Sequence, residues 1–380
     1  MRNIDVDSHL LALKAKKYSD VDINFALEQI NSRQQAKEKL PSLYLNEKLI
    51  FPPSVSMEQC SSETTATYKA ELCCGEKLLD ITGGFGVDFL YMSKKFKHAV
   101  YVEKNEHLAE IAKHNFDVLG LNNVEVLNCD SSLVLENAEK FDCIYIDPSR
   151  RANDNSRKIL LEDCSPNILE IKDLLLQKSK KVIIKLSPIF DITELLRKFD
   201  CKRIHIVAVK NECKELLVEL EQNYNGNCEI ICINKTNKGR QIFEFICEDE
   251  KNLEYNFVPF PQKYLYEPNA AVQKSGGFKS VATKFNLNAL NANSKIYTSD
   301  VFVDDFCGRI FTVEKVFSFN KKELKTNLEN KKKANISVRN FPLSVADLRK
   351  KLNIAEGGDI YLFATTLFDN SKVIIQCSKS

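Results

Sequence analysis

The sequence predicts an α/β protein in which helices cover both faces of a parallel sheet and a smaller α+β unit follows. Three observations predict this fold class. Five short apolar segments alternate with helical segments between residues 77 and 200. A proline-bearing stretch at 256–269 then interrupts the alternation. Beyond residue 308 the order changes to strand, helix, strand, helix and two paired strands.

The N-terminal part is predicted to be helical up to residue 44, because Phe25, Leu27 and Ile30 recur at helical spacing before Pro41. A second helix is expected from about residue 61 to 72, where serine precedes an acidic first turn. The five strands of the sheet are predicted at "KLLDIT", "HAVYVEK", "VEVLNCD", "FDCIYID" and "KVIIKLS". The helices between and after them are predicted at "VDFLYMSKKF", "EHLAEIAKHNFDVLG", residues 162–178 and "TELLRKFD".

Two hairpins are predicted next. The segment "RIHIVAVKNECKELLVEL" reads as two antiparallel strands that close one edge of the sheet, and a further hairpin ends near residue 250. The expected division of the chain is an N-terminal helical segment, a sheet domain, a connecting or ferredoxin-like segment and a small α+β domain, at residues 1–44, 45–252, 253–307 and 308–380.

Composition favours a cytoplasmic protein without a membrane segment. Of 380 residues, 44% are hydrophobic and 28% charged, and no apolar run approaches the roughly 20 residues that cross a bilayer. The first residues are too charged for a signal peptide. The 13 cysteines lie mostly in apolar strand-like segments without a C-x-x-C pair, so we expect neither a disulfide framework nor a metal site.

Charge is unevenly distributed along the chain. The net charge is +2, yet residues 255–380 carry 19 basic and 11 acidic side chains, and the remainder carries 35 and 41. This division predicts a catalytic domain joined to a module that binds a polyanion. The alternative is that these lysines simply solvate ordinary helices.

The stretch "LLDITGGFGVDFL" at residues 78–90 is a strand that runs into a glycine turn, which predicts a ligand close to the backbone. A phosphate-binding P-loop is excluded, because valine and aspartate follow Gly86 where Lys-Ser/Thr is required. A dinucleotide fingerprint would need a third glycine where Phe89 stands. Asp80 with Gly84 and Gly86 instead suits S-adenosylmethionine, which is cationic and tolerates an acid beside it.

Acidic residues also follow the next strands. Glu103 ends the second strand, Asp130 the third and Asp147 the fourth. Because open parallel sheets bind ligands at the carboxyl ends of their strands, these side chains and Asp80 are expected to line one crevice. Each of them alone has an alternative explanation as a helix N-cap.

The chain resembles class I S-adenosylmethionine-dependent methyltransferases, and within them the largely uncharacterised bacterial family with a C-terminal THUMP-like domain. The motifs that carry this resemblance are "EQCSSETTATYKA", "DITGGFGVD", "DPSRR", "NECKELL", "YLYEPNAAVQKSGGF" and "GGDIYLFATT". The resemblance implies a Rossmann-like sheet with an antiparallel edge hairpin. It also implies S-adenosylmethionine as the cofactor.

The resemblance further implies which residues bind that cofactor. The turn with Asp80, Thr82, Gly83, Gly84 and Gly86 would hold the methionine end. The ribose would lie on Glu103, and the adenine on Asp130 with Ser131, although Ser131 also suits a helix N-cap. Gln59, Ser62 and Thr65 either line the methionine side or belong to a capped core helix. Asp88 is interpreted as a complement to the helix dipole only.

The "DPSRR" motif is the predicted catalytic site, with Asp147, Pro148, Ser149 and Arg150. In related enzymes a D-P-P-Y/F motif holds an amino group while its aromatic ring stacks on a base. Ser149 and Arg150 replace the second proline and the aromatic residue, which puts methylation of an exocyclic amine in doubt. Arg150 and Arg151 would contact a phosphate or a base, or else pair with a nearby carboxylate.

A structured RNA is the expected substrate, bound through the basic C-terminal part. The alternatives are a methyltransferase for a small molecule or protein, a non-catalytic RNA-binding protein with the same fold, and last an NAD-dependent oxidoreductase. Cys213 is the only cysteine near a strand turn that could act as a nucleophile, and burial is its better explanation. The stretch "EPNAAVQKSGGF" is interpreted either as a mobile basic loop or as a linker turn.

Overall fold

The structure is a computed structural model that describes residues 22–137, 139–150, 160–329 and 331–380. The helices predicted within residues 1–21, and Arg151, lie outside these ranges. The chain divides into two compact units. Unit 1 runs to Lys202 and includes Leu216–Asn225, and unit 2 comprises Arg203–Glu215 and Gly226–Ser380.

The described residues form fourteen α-helices, most of them short. They are α1 (Ile23–Lys39), α2 (Pro41–Tyr44), α3 (Ser54–Gln59), α4 (Glu63–Glu71), α5 (Val87–Ser93), α6 (Glu106–Val118), α7 (Ser131–Asn137), α8 (Ile168–Lys178), α9 (Ile192–Lys198), α10 (Cys247–Asn252), α11 (Ala270–Ser275), α12 (Phe278–Lys284), α13 (Lys321–Leu328) and α14 (Val345–Leu352). None of the helices in these ranges is long and apolar enough to cross a membrane.

Eighteen strands occur in the same ranges. They are β1 (Gly75–Asp80), β2 (Phe96–Val102), β3 (Val124–Leu127), β4 (Phe141–Ile146), β5 (Ser149–Arg150), β6 (Cys164–Ser165), β7 (Ser179–Leu186), β8 (Arg203–Val209), β9 (Glu212–Glu221), β10 (Glu229–Thr236), β11 (Gly239–Ile246), β12 (Tyr264–Pro268), β13 (Asn288–Ala289), β14 (Tyr297–Ser299), β15 (Gly308–Ser318), β16 (Asn335–Arg339), β17 (Tyr361–Thr366) and β18 (Lys372–Lys379).

Unit 1 contains the predicted parallel sheet. Its strand order is β9–β7–β4–β1–β2–β3, and all neighbours are parallel except β9, which runs antiparallel to β7. The central strands are buried on both faces, with Leu78, Leu79 and Ile144 fully inaccessible. Such strands read as continuous apolar segments because helices cover both faces. The α/β fold class predicted from the sequence is confirmed.

The N-terminal helices of unit 1 are fastened by polar side chains to the loop that precedes α3. Arg33 is buried and donates to the carbonyl oxygens of Tyr44, Asn46, Glu47 and Leu49. Burial lowers the pKa of this guanidinium, although Glu47 opposes the shift. An irregular loop needs such donors, because its own carbonyl groups lack ladder partners.

One predicted helix begins later than expected. Residues 162–178 were expected to be helical, but Leu161–Asp163 is a single 3₁₀ turn and β6 follows it. The α-helix begins only at Ile168, where Asn167 accepts from the backbone of Leu169. Pro166 explains the delay, because proline disfavours the helical conformation in the residue before it.

Unit 2 contains a three-stranded ladder, β11–β10–β8, and a seven-stranded sheet of order β13–β14–β12–β15–β18–β17–β16. The turn before β9 is Lys210–Asn211, both with left-handed backbone, as a two-residue hairpin requires. Strand β8 pairs with β10 in parallel, and β10 pairs with β11 antiparallel. The hairpin β10–β11 is thus joined to β8 through β10.

The seven-stranded sheet has a core on each face. On β17, Leu362 and Ala364 pack with α13 and α14, and Phe363 between them packs on the opposite face with Leu265. This alternation follows the period of two that a strand imposes. Around it, the buried Glu267 accepts hydrogen bonds from two arginines, Arg309 and Arg339.

Candidate functional site

The glycine turn between β1 and α5 is attached to the end of β2. The Gly83 N–H donates to the carbonyl oxygen of Val102 at 2.9 Å, and the Gly84 N–H donates to Glu103 Oε2 at 2.6 Å. The Tyr101 hydroxyl donates to the Gly84 carbonyl at 2.5 Å. The turn therefore has one fixed position relative to the carboxyl end of β2.

A different structural feature explains the glycine at each position of the turn. A Cβ at Gly83 would lie 2.3 Å from the Tyr101 ring, and one at Gly86 would lie 2.9 Å from Phe116. Gly84 has φ +63° and open space beside it, with the Thr82 carbonyl oxygen 3.8 Å away as its nearest neighbour. A ligand can thus approach the backbone closely at Gly84.

Asp80 lies buried at the end of β1. Its Oδ1 accepts from the Thr82 N–H at 2.9 Å and from the Thr82 hydroxyl at 3.3 Å. Burial raises the pKa of Asp80 to about 8, and the carboxylates of Asp88 and Asp147 add to that rise while Thr82 opposes it. A buried acid of this kind is a natural partner for a cationic ligand.

Glu103 is the next acidic residue along the edge of the sheet. It is buried, and its two oxygens accept from the backbone of the turn and of the following loop, namely Gly84 N–H at 2.6 Å and Asn105 N–H at 2.7 Å. Each carboxylate oxygen has a second lone pair, so the group can still accept from a diol.

The acidic residues occupy neighbouring strand ends, as predicted. In the order β4–β1–β2–β3, Asp147 follows β4, Asp80 ends β1, Glu103 follows β2 and Asp130 lies beyond β3. Asp130 is exposed, and its Oδ1 accepts from the backbone and hydroxyl of Ser132. These bonds lower the pKa of Asp130. Ser131 is the first residue of α7.

The "DPSRR" motif leaves β4 at the same edge. The Asp147 N–H donates to the Thr82 hydroxyl at 2.7 Å, and Asp147 Oδ2 accepts from Lys185 Nζ at 2.5 Å. Pro148 is half-buried, whereas Ser149 is exposed and pairs through its backbone with Ser165. The backbone of Arg150 belongs to β5, while its predicted side-chain role lies outside the described atoms.

Sequence reasoning missed a buried charged cluster behind Asp147. Lys69 on α4 is 0% exposed and lies 3.1 Å from Asp88 Oδ1, and Lys185 on β7 lies 3.7 Å from Asp88 Oδ2. The hydroxyls of Ser61 and Tyr145 donate to the same Oδ2 at 2.8 Å and 2.7 Å. Asp88 thus does much more than complement a helix dipole.

The pKa of Asp88 reflects these partners. Burial alone would raise it, but Lys69, Lys185 and the two hydroxyl donors together lower it. One signal in the sequence could have indicated the cluster. Lys69, Asp88 and Lys185 each stand among apolar or small residues, and ionisable side chains in such positions are buried only when they are paired.

The segment with Gln59, Ser62 and Thr65 contains the N-cap of helix α4, as the alternative of a capped core helix describes. Ser62 accepts from the Thr65 N–H at 3.2 Å, the Thr65 hydroxyl donates to the Ser62 carbonyl, and Gln59 is exposed. Cys60 interacts electrostatically with Lys185 and Asp147, but burial raises the pKa of its thiol to about 11. The thiol is therefore protonated near neutral pH and unsuited to nucleophilic attack.

Two motifs of unit 2 have structural roles. In "EPNAAVQKSGGF", Asn269 caps α11, Gly276 ends it with φ +80°, and α12 follows. Burial raises the pKa of the Cys213 thiol to about 11, which favours the structural explanation of this cysteine. No group of three His, Cys, Asp or Glu side chains in the described ranges is arranged to hold a metal ion.

A basic groove lies beside α13 and α14, with a volume of about 1120 Å³. Its floor is apolar, formed by Leu324, Leu328, Leu352 and Ile354. Its described rim has one acidic side chain, Glu329, and seven basic ones: Lys321, Lys325, Lys331, Lys332, Arg349, Lys350 and Lys351. The groove therefore has an excess of basic over acidic side chains among its described lining residues.

Three family models match the chain. Conserved hypothetical protein 95 matches residues 64–203, a ferredoxin-like domain matches 264–306, and a THUMP domain-like model matches 308–379. No curated protein sequence matches it significantly. Two short solved structures align with under half of the chain: an rRNA methylase from Streptococcus thermophilus (16% identity, TM-score 0.32, 42% of this chain and 94% of that one) and TrmK from M. capricolum with S-adenosylhomocysteine (17%, 0.33, 42% and 68%).

A third solved structure matches nearly the whole chain. It is a Porphyromonas gingivalis W83 protein provisionally named a methyltransferase, with 32% identity and a TM-score of 0.89. The alignment covers 95% of this chain and 92% of that one. The resemblance expected from the motifs is confirmed over the full fold. The chain belongs to the family of class I methyltransferases, whose cofactor is S-adenosylmethionine, that carry a C-terminal THUMP-like domain.

Proposed function

We propose that this protein transfers the methyl group of S-adenosylmethionine to a structured RNA. The observation that carries the methyltransferase part is the row of acidic side chains at the ends of four neighbouring parallel strands, next to a turn with open space at Gly84. Such a crevice suits a ligand with cationic groups and a ribose. The sulfonium of the cofactor would supply the activated methyl group.

Each residue of the crevice has a proposed task. Asp80 with Thr82, Gly83, Gly84 and Gly86 holds the methionine end, and Glu103 accepts from the ribose hydroxyls. Asp130 and Ser131 lie where the adenine would be bound. At the other end of the row, Asp147, Pro148, Ser149 and Arg150 form the side that faces the methyl acceptor. We further propose the domain division 1–44, 45–252, 253–307 and 308–380, close to the ranges of the family models.

The RNA part rests on the basic groove of unit 2. Seven cationic side chains and one acidic side chain surround an apolar floor, a composition that suits phosphate groups and the hydrophobic stems of lysine. Polyanion binding of this kind recognises shape and backbone more than sequence, so a folded RNA fits it.

Calorimetric titration with S-adenosylmethionine, S-adenosylhomocysteine and NAD tests the cofactor. We expect binding of the first two, weakened at least tenfold by Glu103→Gln, because one acceptor oxygen of the carboxylate is lost. The matched control is Glu125→Gln, an exposed glutamate on β3. Binding of NAD alone would contradict the proposal, and binding of no ligand would favour a non-catalytic protein.

Filter binding with total tRNA and rRNA at several salt concentrations tests the substrate class. Lys321→Glu and Lys350→Glu should weaken binding and lower the salt slope by about one for each lost phosphate contact. Lys238→Glu, on the exposed β10–β11 turn, is the control. If all three variants bind RNA as tightly as the wild type does, the groove is not the RNA-binding site. RNA binding that does not depend on salt would favour a small-molecule or protein substrate.

A further inference from the structure

The buried charged cluster forms a chain of alternating sign that ends at Asp147. Its order is Lys69, Asp88, Lys185 and Asp147, and exposure rises along it from 0% at Lys69 to 13% at Lys185 and 37% at Asp147. One end is therefore inaccessible to water and the other opens to solvent. Four secondary-structure elements, α4, α5, β7 and the end of β4, contribute one residue each.

Asp147 is held by two contacts, one from the charged cluster and one from Thr82. Lys185 donates to Oδ2, while the residue's own N–H donates to the Thr82 hydroxyl. Lys185 is itself held close to the Asp88 carboxylate, which also accepts from Ser61 and Tyr145. Asp147 Oδ1 accepts none of the hydrogen bonds found among the described residues. Asp147 thus offers one oxygen of defined direction at the open end of the cluster.

We propose that Lys185 is the positioning residue that directs Asp147 Oδ1 towards an N–H or O–H group of the methyl acceptor. This inference rests on the proposed methyl transfer and narrows its acceptor to a protic nitrogen or oxygen. Thr82 connects Asp147 to Asp80, so the acceptor side and the cofactor side share one hydrogen-bonded segment.

The transfer then balances without a further reagent. The acceptor's lone pair forms the new bond to the methyl carbon, the carbon–sulfur bond breaks, and its electron pair stays on sulfur. The acceptor's proton passes to the Asp147 carboxylate and from there to water. Positioning is the main contribution expected of the protein, because a displacement of about 1 Å in such a site lowers the rate about a hundredfold.

A binding experiment on the full chain tests this placement without any substrate. Sinefungin carries an amino group at the position of the methylated sulfonium. S-adenosylhomocysteine has a neutral thioether there. We expect the wild type to prefer sinefungin by about tenfold, since its ammonium would lie near Asp147. Asp147→Asn should abolish this preference, and Lys185→Met should reduce it, because the Asp147 carboxylate is no longer held in one direction. Affinity for S-adenosylhomocysteine reports whether each variant is folded.

Two variants separate a positioning role from a structural one. Lys185→Arg retains a cation and should keep the wild-type preference, and so should Lys180→Met, an exposed lysine on the same strand that pairs with Asp142. An unchanged preference in Asp147→Asn would overturn the placement of Asp147. An unchanged preference in Lys185→Met would overturn the role of Lys185.

The second readout is the transfer of tritium from labelled S-adenosylmethionine to RNA. The RNA is total RNA from a strain of the native organism that lacks this gene, so the target site is unmethylated. Lys185→Met should lower kcat about a hundredfold with little change in KM for the cofactor, and Lys185→Arg should restore part of it. A kcat equal to the wild type would overturn the inference. Absence of transfer by the wild type would instead reject the proposed RNA substrate, and the sinefungin titrations would still decide the inference.

Discussion

Replacement of Asp80 by asparagine should stabilise the protein without its cofactor and weaken cofactor binding. Burial raises the pKa of this carboxyl from 3.8 to about 8, so the folded protein retains a proton at pH 7 that the unfolded chain has lost. The sign follows from proton linkage. The stabilising effect of this proton is complete below pH 4 and is lost as the pH rises towards 8.

The magnitude follows from the size of that shift. At about 1.4 kcal/mol for each pKa unit, the difference between 3.8 and pH 7 corresponds to about 4 kcal/mol of lost stability. Asparagine keeps the Oδ1 acceptor that Thr82 uses and cannot ionise. Asp80→Asn should therefore change stability little at pH 4 and stabilise unit 1 by as much as about 4 kcal/mol at pH 7.

Urea unfolding followed by pulsed hydrogen exchange of the β1 peptide measures this effect within unit 1. A stability difference of equal size at both pH values, or a variant less stable at pH 7, would refute the reasoning. The wild-type affinity for S-adenosylmethionine should also rise about tenfold between pH 7 and pH 9, as the remaining Asp80 ionises. The Asp80→Asn variant controls for titration of the ligand itself and should lack this additional rise.

Three further predictions concern single side chains. Gly83→Ala places a Cβ 2.3 Å from the Tyr101 ring and should cost about 2 kcal/mol of stability in urea unfolding, and an unchanged midpoint would contradict the geometry. Glu267→Gln leaves two arginines with a neutral partner and should destabilise unit 2 by about 3 kcal/mol, whereas an unaltered thermal transition would show that the pair contributes nothing. Cys60, with a pKa of about 11, should react with iodoacetamide at pH 8 about a hundredfold more slowly than the exposed Cys74, and similar rates by mass spectrometry would mean an open thiol.

The strands of the catalytic sheet could be predicted because their environment is simple. A central parallel strand is covered on both faces, so its sequence is an apolar segment bounded by polar residues. The acidic residues that end those strands were predictable for the same reason, since parallel strands bring their carboxyl ends to one edge. Helix starts were less predictable, as α8 shows, because one proline outweighs several helix-forming residues.

The buried charged cluster could not be predicted from one segment of the sequence. Lys69 belongs to a helix before the sheet, and Lys185 to its fifth parallel strand, 116 positions later by their numbering. The apolar neighbours of each lysine indicate burial, but they do not indicate its partner. Only the packing of α4 and β7 around α5 brings both ammonium groups to the carboxylate of Asp88. Asp88 itself was assigned to a local effect of its helix.

Charges buried in this way are costly, and apolar residues of similar volume would usually serve stability as well. Asp88 nevertheless contacts Lys69 and Lys185, and Asp80 interacts electrostatically with Asp88 and Asp147. If Asp80→Asn stabilises the protein and abolishes cofactor binding, the protein retains that carboxylate against its own stability, which is expected of a binding group. If the variant gains stability and still binds, Asp80 shapes the turn only. The carboxylate that pairs with the cationic group of the cofactor must then be sought at Asp147, where the sinefungin titrations would locate it.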